Sequence, residues 1–258
     1  MPNLRANRRL ITRRRITVAS SFTPASLANL KAWYKADAGV FQDAAGTVPG
    51  ANNQPVGYWT DQSGNGLHLT NATDTTNYPT YKTATLNGLA VIDCDNTSFS
   101  QFLYNAAFNM GGTTASAFVV VKFTSDGPNS RILSYATSGG SDTDSDHWTM
   151  FQPSMTRSET YQTAVKSGVT ITSSSWNNLG TIFDGTNNTM YKAGVADTPV
   201  SCTTSMNATG YFGIAGAPPA GGSILKAGQF AELVVTSGVM TPTEISNLTT
   251  YFTTRWGV

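Results

Sequence analysis

Three glutamates, two histidines and two short acidic clusters are the residues from which this sequence could assemble chemistry. Glycoside hydrolysis needs two carboxylates facing each other across a sugar-binding cleft. Glu244 sits in Thr241-Pro-Thr-Glu244, where it reads as the reciprocal partner of a helix N-cap. Glu232 lies inside the strand-like run Phe230-Ala-Glu-Leu-Val-Val235, which leaves Glu159 without a partner glutamate. Serine hydrolysis needs a nucleophile with a histidine beside it. No G-x-S-x-G elbow occurs, His68 follows a turn, and His147 ends an acidic loop. Walker A and dinucleotide-binding glycine patterns are also missing. The expectation is a protein that is not an enzyme.

Metal binding has two weak candidates. Asp142, Asp144 and Asp146 alternate in Ser141-Asp-Thr-Asp-Ser-Asp146 and could present hard oxygens to Ca²⁺, although the glycine of an EF-hand loop is absent. A solvated loop is the plainer reading. Asp61, Ser63 and Asn65 form the second cluster, and side chains bonding their own turn explain it equally well. No other cofactor is expected. Cys94 and Cys202 are too few for a zinc cluster or a disulfide framework and read as ordinary thiols. Saccharide binding would need exposed aromatic platforms beside amides and hydroxyls, for which Tyr78, Tyr81, Tyr104, Trp148 and Tyr161 qualify by type, although a core or rim position is the plainer reading for each.

These residues must be carried by β-structure. Of 258 residues only 12% are charged, about half the usual share, while 40% are apolar. Low charge at ordinary hydrophobicity excludes a disordered chain, and the content of Ala, Glu, Lys, Leu and Arg taken together, far below half the chain, excludes coiled coils and helical repeats. Short β-type runs separated by turn residues recur along the chain: Val56–Trp59, Ala90–Asp93, Gln101–Tyr104, Ala117–Phe123, Arg131–Tyr135, Trp148–Gln152, Trp176–Asp184, Thr189–Lys192, Tyr211–Ile214 and Phe230–Val235. The Phe-Val-Val-Val run at 118–121 predicts a strand buried on both faces. Thr23-Pro24 opens a short helical turn. Thr241-Pro-Thr-Glu244 opens a C-terminal helix whose Ile245, Leu248, Tyr251, Phe252 and Trp256 form one apolar face. No segment approaches the length of an apolar membrane span.

Charge is unevenly placed. Arg5, Arg8, Arg9, Arg13, Arg14 and Arg15 lie in residues 1–16 with no acid among them, and removing those six from 16 basic residues leaves ten against 15 acids, a balance of −5. Residues 1–16 are therefore a basic arm on a mildly acidic domain spanning 17–258. No apolar stretch follows the arginines, so no signal peptide is expected.

Several strings, taken in order, resemble a known module: Leu30-Lys-Ala-Trp-Tyr-Lys-Ala-Asp37, Trp59-Thr-Asp-Gln-Ser-Gly-Asn-Gly66, Pro79-Thr-Tyr81, Asn87-Gly88, Ala90-Val-Ile-Asp93, Phe230-Ala-Glu-Leu-Val-Val235, and the closing Thr241-Pro-Thr-Glu244 with Tyr251-Phe-Thr-Thr-Arg-Trp-Gly-Val258. Together they are similar to the concanavalin A-like, laminin-G-like jelly-roll domains common in tailed-phage virion proteins and bacterial surface proteins. Cys94 departs from the pattern, where glycine usually follows the acid. The resemblance implies an all-β, antiparallel two-sheet jelly-roll sandwich with a short N-terminal helical turn, a C-terminal helix and an extended basic arm. It specifies fold better than function.

The functional expectation joins the module to the arm: a non-enzymatic structural virion protein of a tailed bacteriophage, a capsid decoration or cement protein made in the host cytoplasm. Its six arginines would dock an acidic surface on capsid or other virion proteins. A homo-oligomer is expected, and nucleic acid and membrane are not expected as partners. The alternative is a carbohydrate-binding adhesion module on a phage tail, fibre or cell surface, with host glycans as ligands.

Overall fold

The computed structural model describes residues 22–71, 78–95, 101–125, 130–136, 148–152, 156–160, 167–169, 174–201, 206, 209–216 and 227–258. A single 3-10 turn at Pro24–Ser26, with Pro24 entering after Thr23, leads into the first strand. In chain order the strands are β1 (Leu30–Lys35), β2 (Val40–Phe41), β3 (Tyr58–Trp59), β4 (Leu69–Thr70), β5 (Thr80–Leu86), β6 (Leu89–Asp95), β7 (Leu103–Asn109), β8 (Ala115–Ser125) and β9 (Ser130–Ala136). They continue as β10 (Trp148–Gln152), β11 (Thr156–Thr160), β12 (Ser167–Val169), β13 (Trp176–Phe183), β14 (Asn187–Lys192), β15 (Val195–Ala196), β16 (Val200–Ser201), β17 (Thr209–Ile214) and β18 (Ala227–Thr236). Helix α1 (Pro242–Trp256) follows.

The strands form two antiparallel sheets. The first runs β15-β14-β13-β8-β18-β6-β5, with β1 added to β18 and β16 to β14. The second runs β12-β11-β10-β9-β17-β7-β4-β3-β2. This is the expected jelly-roll sandwich. Strand β18 pairs through Ala227–Phe230 with β6 and through Glu232–Thr236 with β1. A register shift against β8 between Phe230 and Glu232 brings Ala231 and Glu232 to the same, outer side.

Two clusters hold the molecule. Between the sheets lie Trp59, Phe108, Tyr135, Trp148, Phe183, Phe212 and their neighbours. On the outer face of the first sheet, Trp33, Val91, Phe118, Val120, Ile182 and Val234 pack with Ile245, Leu248, Phe252 and Trp256 of α1. β8 serves both: Val119, Val121 and Phe123 face inward and Phe118 and Val120 face the helix. That is why its sequence is apolar without alternation.

Helix α1 begins and ends on specific chemistry. Thr241 and Glu244 form a reciprocal capping box, with Pro242 at the first helical position. Gly257 closes the last turn at φ 75°, a conformation glycine adopts freely. Ser116 accepts from the Met240 backbone N–H and donates to the Gly238 carbonyl, tying β8 to the chain just before the helix. At the far end, the Asn87 amide in the β5–β6 turn donates to the Arg255 carbonyl at 2.8 Å.

Strand bounds differ from expectation, most clearly in two places. The strand expected at Val56–Trp59 is Tyr58–Trp59, and that at Gln101–Tyr104 runs Leu103–Asn109. β5, with its Thr-rich exposed centre, carries too little apolar alternation to be read from sequence. The basic arm, Asp142, Asp144, Asp146, His147, Tyr161 and Cys202 lie outside the described residues.

Candidate functional site

Two of the three glutamates, Glu232 and Glu244, are committed to structural contacts. Glu232 is fully buried beneath α1. Its Oε1 accepts from Trp33 Nε1 at 2.5 Å and from the Tyr251 hydroxyl at 3.0 Å, and its Oε2 accepts from Trp256 Nε1 at 2.6 Å. Arg255 Nε stands 3.3 Å from Oε2, while its other end contacts Asp37 at 2.5 Å. Burial pushes the Glu232 carboxyl above the ordinary glutamate value, against the pull of the indoles, the phenol and Arg255. The Tyr251 hydroxyl is raised by burial and by the Glu232 charge beside it. These contacts make Glu232 a latch joining β1, β18 and α1. Glu244 is occupied in the capping box.

The turn after β3 is equally self-contained. Asp61 Oδ1 accepts from the backbone N–H groups of Trp33 and Ser63 at 2.9 and 2.8 Å. Its Oδ2 accepts from the Ser63 hydroxyl at 2.7 Å and the Leu67 N–H at 3.1 Å. Asn65 donates to the carbonyls of Leu30 and Lys31. His68 Nδ1 accepts from the Asp61 N–H, and its ring packs against Tyr58 with centroids 5.1 Å apart. The Asp61, Ser63 and Asn65 cluster thus fastens the turn to β1. Among the described residues no group of His, Cys, Asp and Glu is placed to hold a metal ion.

Two of the candidate aromatic platforms are withdrawn from solvent, in keeping with the core-or-rim reading. Trp148 is fully buried between the sheets, and Tyr104 is buried against Phe102 at 5.7 Å between centroids. Tyr78 and Tyr81 are half-buried. The size and apolarity that suggest a platform serve the core just as well, so residue type alone misplaces them.

A groove of mixed lining runs alongside α1. Asn247, Thr250, Tyr251 and Thr254 fall at positions i, i+3, i+4 and i+7 and form one wall of this groove of about 620 Å³. Phe22, Thr23, Asn87, Leu89 and Arg255 complete its lining. Phe22 and Tyr251 meet edge to face, centroids 6.4 Å apart. Most polar groups here are neutral amides and hydroxyls, and the nearby Arg255 is held by Asp37 and Glu232. The groove therefore offers aromatic surface ringed by donors and acceptors with little net field. Sequence reading missed it because Tyr251 was assigned to the helix's apolar face and the facing residues come from the chain before β1 and from the β5–β6 turn. A second groove of about 420 Å³ lies on the opposite flank, between α1 and Tyr191–Ala196.

No protein-family model and no curated protein sequence matches the chain. Solved structures do share its fold. A Trypanosoma rangeli sialidase in complex with sialic acid superposes with a TM-score of 0.60 at 12% identity, over 87% of this chain and 33% of the sialidase. The chain thus spans about a third of that protein. The binding domain of botulinum neurotoxin serotype G gives 0.57 at 12% identity, over 89% of this chain and 54% of that one. Domain 4 of AbnA, a GH43 extracellular arabinanase from Geobacillus stearothermophilus in complex with arabinotriose, gives 0.52 at 14% identity, over 86% of this chain and 98% of that domain. At these identities the likeness shows the β-sandwich fold alone. None of the three is a virion protein. Among the described residues no helix is long and apolar enough to cross a membrane.

Proposed function

We propose that this chain is a carbohydrate-binding module that holds a saccharide without cleaving it. The observation that carries the reading is the groove beside α1, where Tyr251, Phe22 and Leu89 offer apolar surface and Asn87, Asn247, Thr250 and Thr254 offer neutral hydrogen bonds. A sugar ring has the matching surface, an apolar C–H face edged by hydroxyls. The part of the reading that excludes cleavage is supported by Glu232 and Glu244, each already occupied by structural bonds. Two of the fold neighbours, by their titles, are bound to saccharides, which fits the same reading. The test is a glycan array followed by titration calorimetry on the best ligand, with Asn247→Trp used to fill the groove. Binding lost at unchanged melting temperature is the expected result; undiminished binding in that variant overturns the site.

A second reading concerns location. The six arginines of residues 1–16 against a domain balance of −5 favour a chain docked by its arm onto an acidic protein surface, as in a phage particle. Deleting residues 1–15 should leave a folded domain that no longer joins particles. Undiminished incorporation of that truncation refutes the arm's role.

A further inference from the structure

Helix α1 covers only part of the outer face of the first sheet. Beyond it one lateral row crosses five neighbouring strands: Trp176 of β13 pairs with Lys122 of β8, Lys122 with Gln229 of β18, Gln229 with Asp93 of β6, and Asp93 with Thr80 of β5. Val121, Phe230 and Ile92, next along the same strands, face the inter-sheet core. The row therefore faces outward, on the side where Val120, Val91 and Ala231 pack under the helix. All five side chains are half-buried. At about 4.8 Å between strands, the row spans roughly 19 Å.

Its chemistry is ordered along that length: an indole, an ammonium, an amide, a carboxylate and a hydroxyl. Two amides on this face lack hydrogen-bond partners. Gln229 Oε1 is buried and accepts from nothing, and Asn178, two residues on from Trp176 and 3% exposed, has neither Oδ1 nor Nδ2 bonded. Buried polar atoms are normally paired, so unpaired ones at a partly open surface mark where a ligand's hydroxyls would be favourable. Lys122 and Asp93 flank Gln229 with opposite charges, so the row favours neither a polyanion nor a polycation. A peptide strand would need a free sheet edge, whereas these residues stand on a face whose backbone bonds are satisfied within the sheet. What fits is a chain of neutral rings presenting apolar faces and closely spaced hydroxyls.

We propose that the row from Trp176 to Thr80 is a second binding line, for a neutral polysaccharide laid across the strands. It goes beyond the groove reading and shares no residue with it. Trp176 stacks one ring, Gln229 accepts from a hydroxyl, Lys122 donates to ring or hydroxyl oxygens, and Asp93 and Thr80 engage the next unit.

The protein carries its own reporter. Of its five tryptophans, Trp33, Trp59, Trp148 and Trp256 are at most 9% exposed, so Trp176 dominates the fluorescence that acrylamide can quench. The full chain is titrated with soluble arabinan, galactomannan, mixed-linkage glucan and dextran, with polygalacturonate as the anionic control. The expected result is that at least one neutral polymer protects the quenchable fluorescence. Gln229→Ala should weaken that binding roughly tenfold, equivalent to one lost hydrogen bond, at unchanged melting temperature. Asn247→Phe, which fills the groove without adding a second quenchable indole, should leave this signal untouched. Protection by none of the neutral polymers, protection by polygalacturonate alone, or full affinity in Gln229→Ala each overturns the proposal. Loss of protection in Asn247→Phe also overturns it, by assigning the saccharide to the groove.

Discussion

Replacing Glu232 with glutamine tests the latch most sharply. Glutamine keeps the volume but presents one acceptor oxygen where the carboxylate presents two. Its NH₂ must then face the indole N–H of either Trp33 or Trp256, both now bonded to the carboxylate at 2.5 and 2.6 Å. One buried donor loses its acceptor, at a cost of about 1–3 kcal/mol. Glu232→Ala leaves both indoles unpaired and strips Arg255 of one of its two carboxylates, and the cost rises to about 3–5 kcal/mol. For a domain of this size each kcal/mol moves the melting temperature by about 2–4 °C. Calorimetry should therefore rank wild type above Glu232→Gln above Glu232→Ala, with the amides of α1 losing exchange protection first. One effect opposes this order: burial raises the Glu232 pKa, so the buried charge is itself costly. A folded-state value above the unfolded one means that the group's contribution is fully present below the unfolded carboxyl value and is lost as pH rises through the raised folded value. The gap between wild type and Glu232→Gln should widen as pH falls from neutrality toward the carboxyl range. A glutamine variant as stable as wild type at pH 7 would refute the latch and leave the helix held by its apolar face, the Arg255–Asp37 pair and the Asn87 bond.

Three further outcomes are expected. Gly180→Ala would place a methyl 2.2 Å from the Phe118 ring, so the outer cluster must shift; the expected loss is about 1–3 kcal/mol, read from the urea midpoint. Asp61→Ala removes the acceptor of three backbone N–H groups and one hydroxyl and should cost at least about 2 kcal/mol, whereas an unchanged midpoint would show that the turn does not depend on it. In a Cys202→Ser background, Cys94 should react with a thiol reagent only as fast as the protein opens, because burial and the neighbouring Asp93 charge push its thiol pKa up; rapid native-state labelling would contradict its full burial.

What could be read from the sequence depended on how local each signal was. The capping box at Thr241 and Glu244 is complete within four residues, and helix α1 starts where those residues place it. The unbroken apolar run of β8 announced double burial, and both covering layers exist. Which aromatics are core was not legible one by one, since a large ring looks the same in sequence whether it faces a ligand or another sheet, and Tyr104 and Trp148 are buried while Tyr78 and Tyr81 are half-buried. Glu232 carried a legible clue, a lone acid inside Phe-Ala-Glu-Leu-Val-Val, yet its partners lie 199 residues upstream at Trp33 and 24 downstream at Trp256. The row from Trp176 to Thr80 depends on the pairing register of five strands, set by bulges and distant contacts, and no sequence window contains it.

The helix ties support to binding. Tyr251 lines the groove and also donates to Glu232, and Arg255 lines the groove while bridging Asp37 and Glu232. The wall that would meet a saccharide is thus held by the bonds that hold the helix, and an acid buried at some cost has a functional rationale: it holds a surface tyrosine in one orientation. Loosening the latch should weaken the groove even where the fold survives. The row from Trp176 to Thr80 stands on sheet positions whose backbone pairing does not pass through α1. In Glu232→Gln the groove should therefore lose affinity while the row keeps it, and equal losses at both would mean that the helix organises the whole outer face.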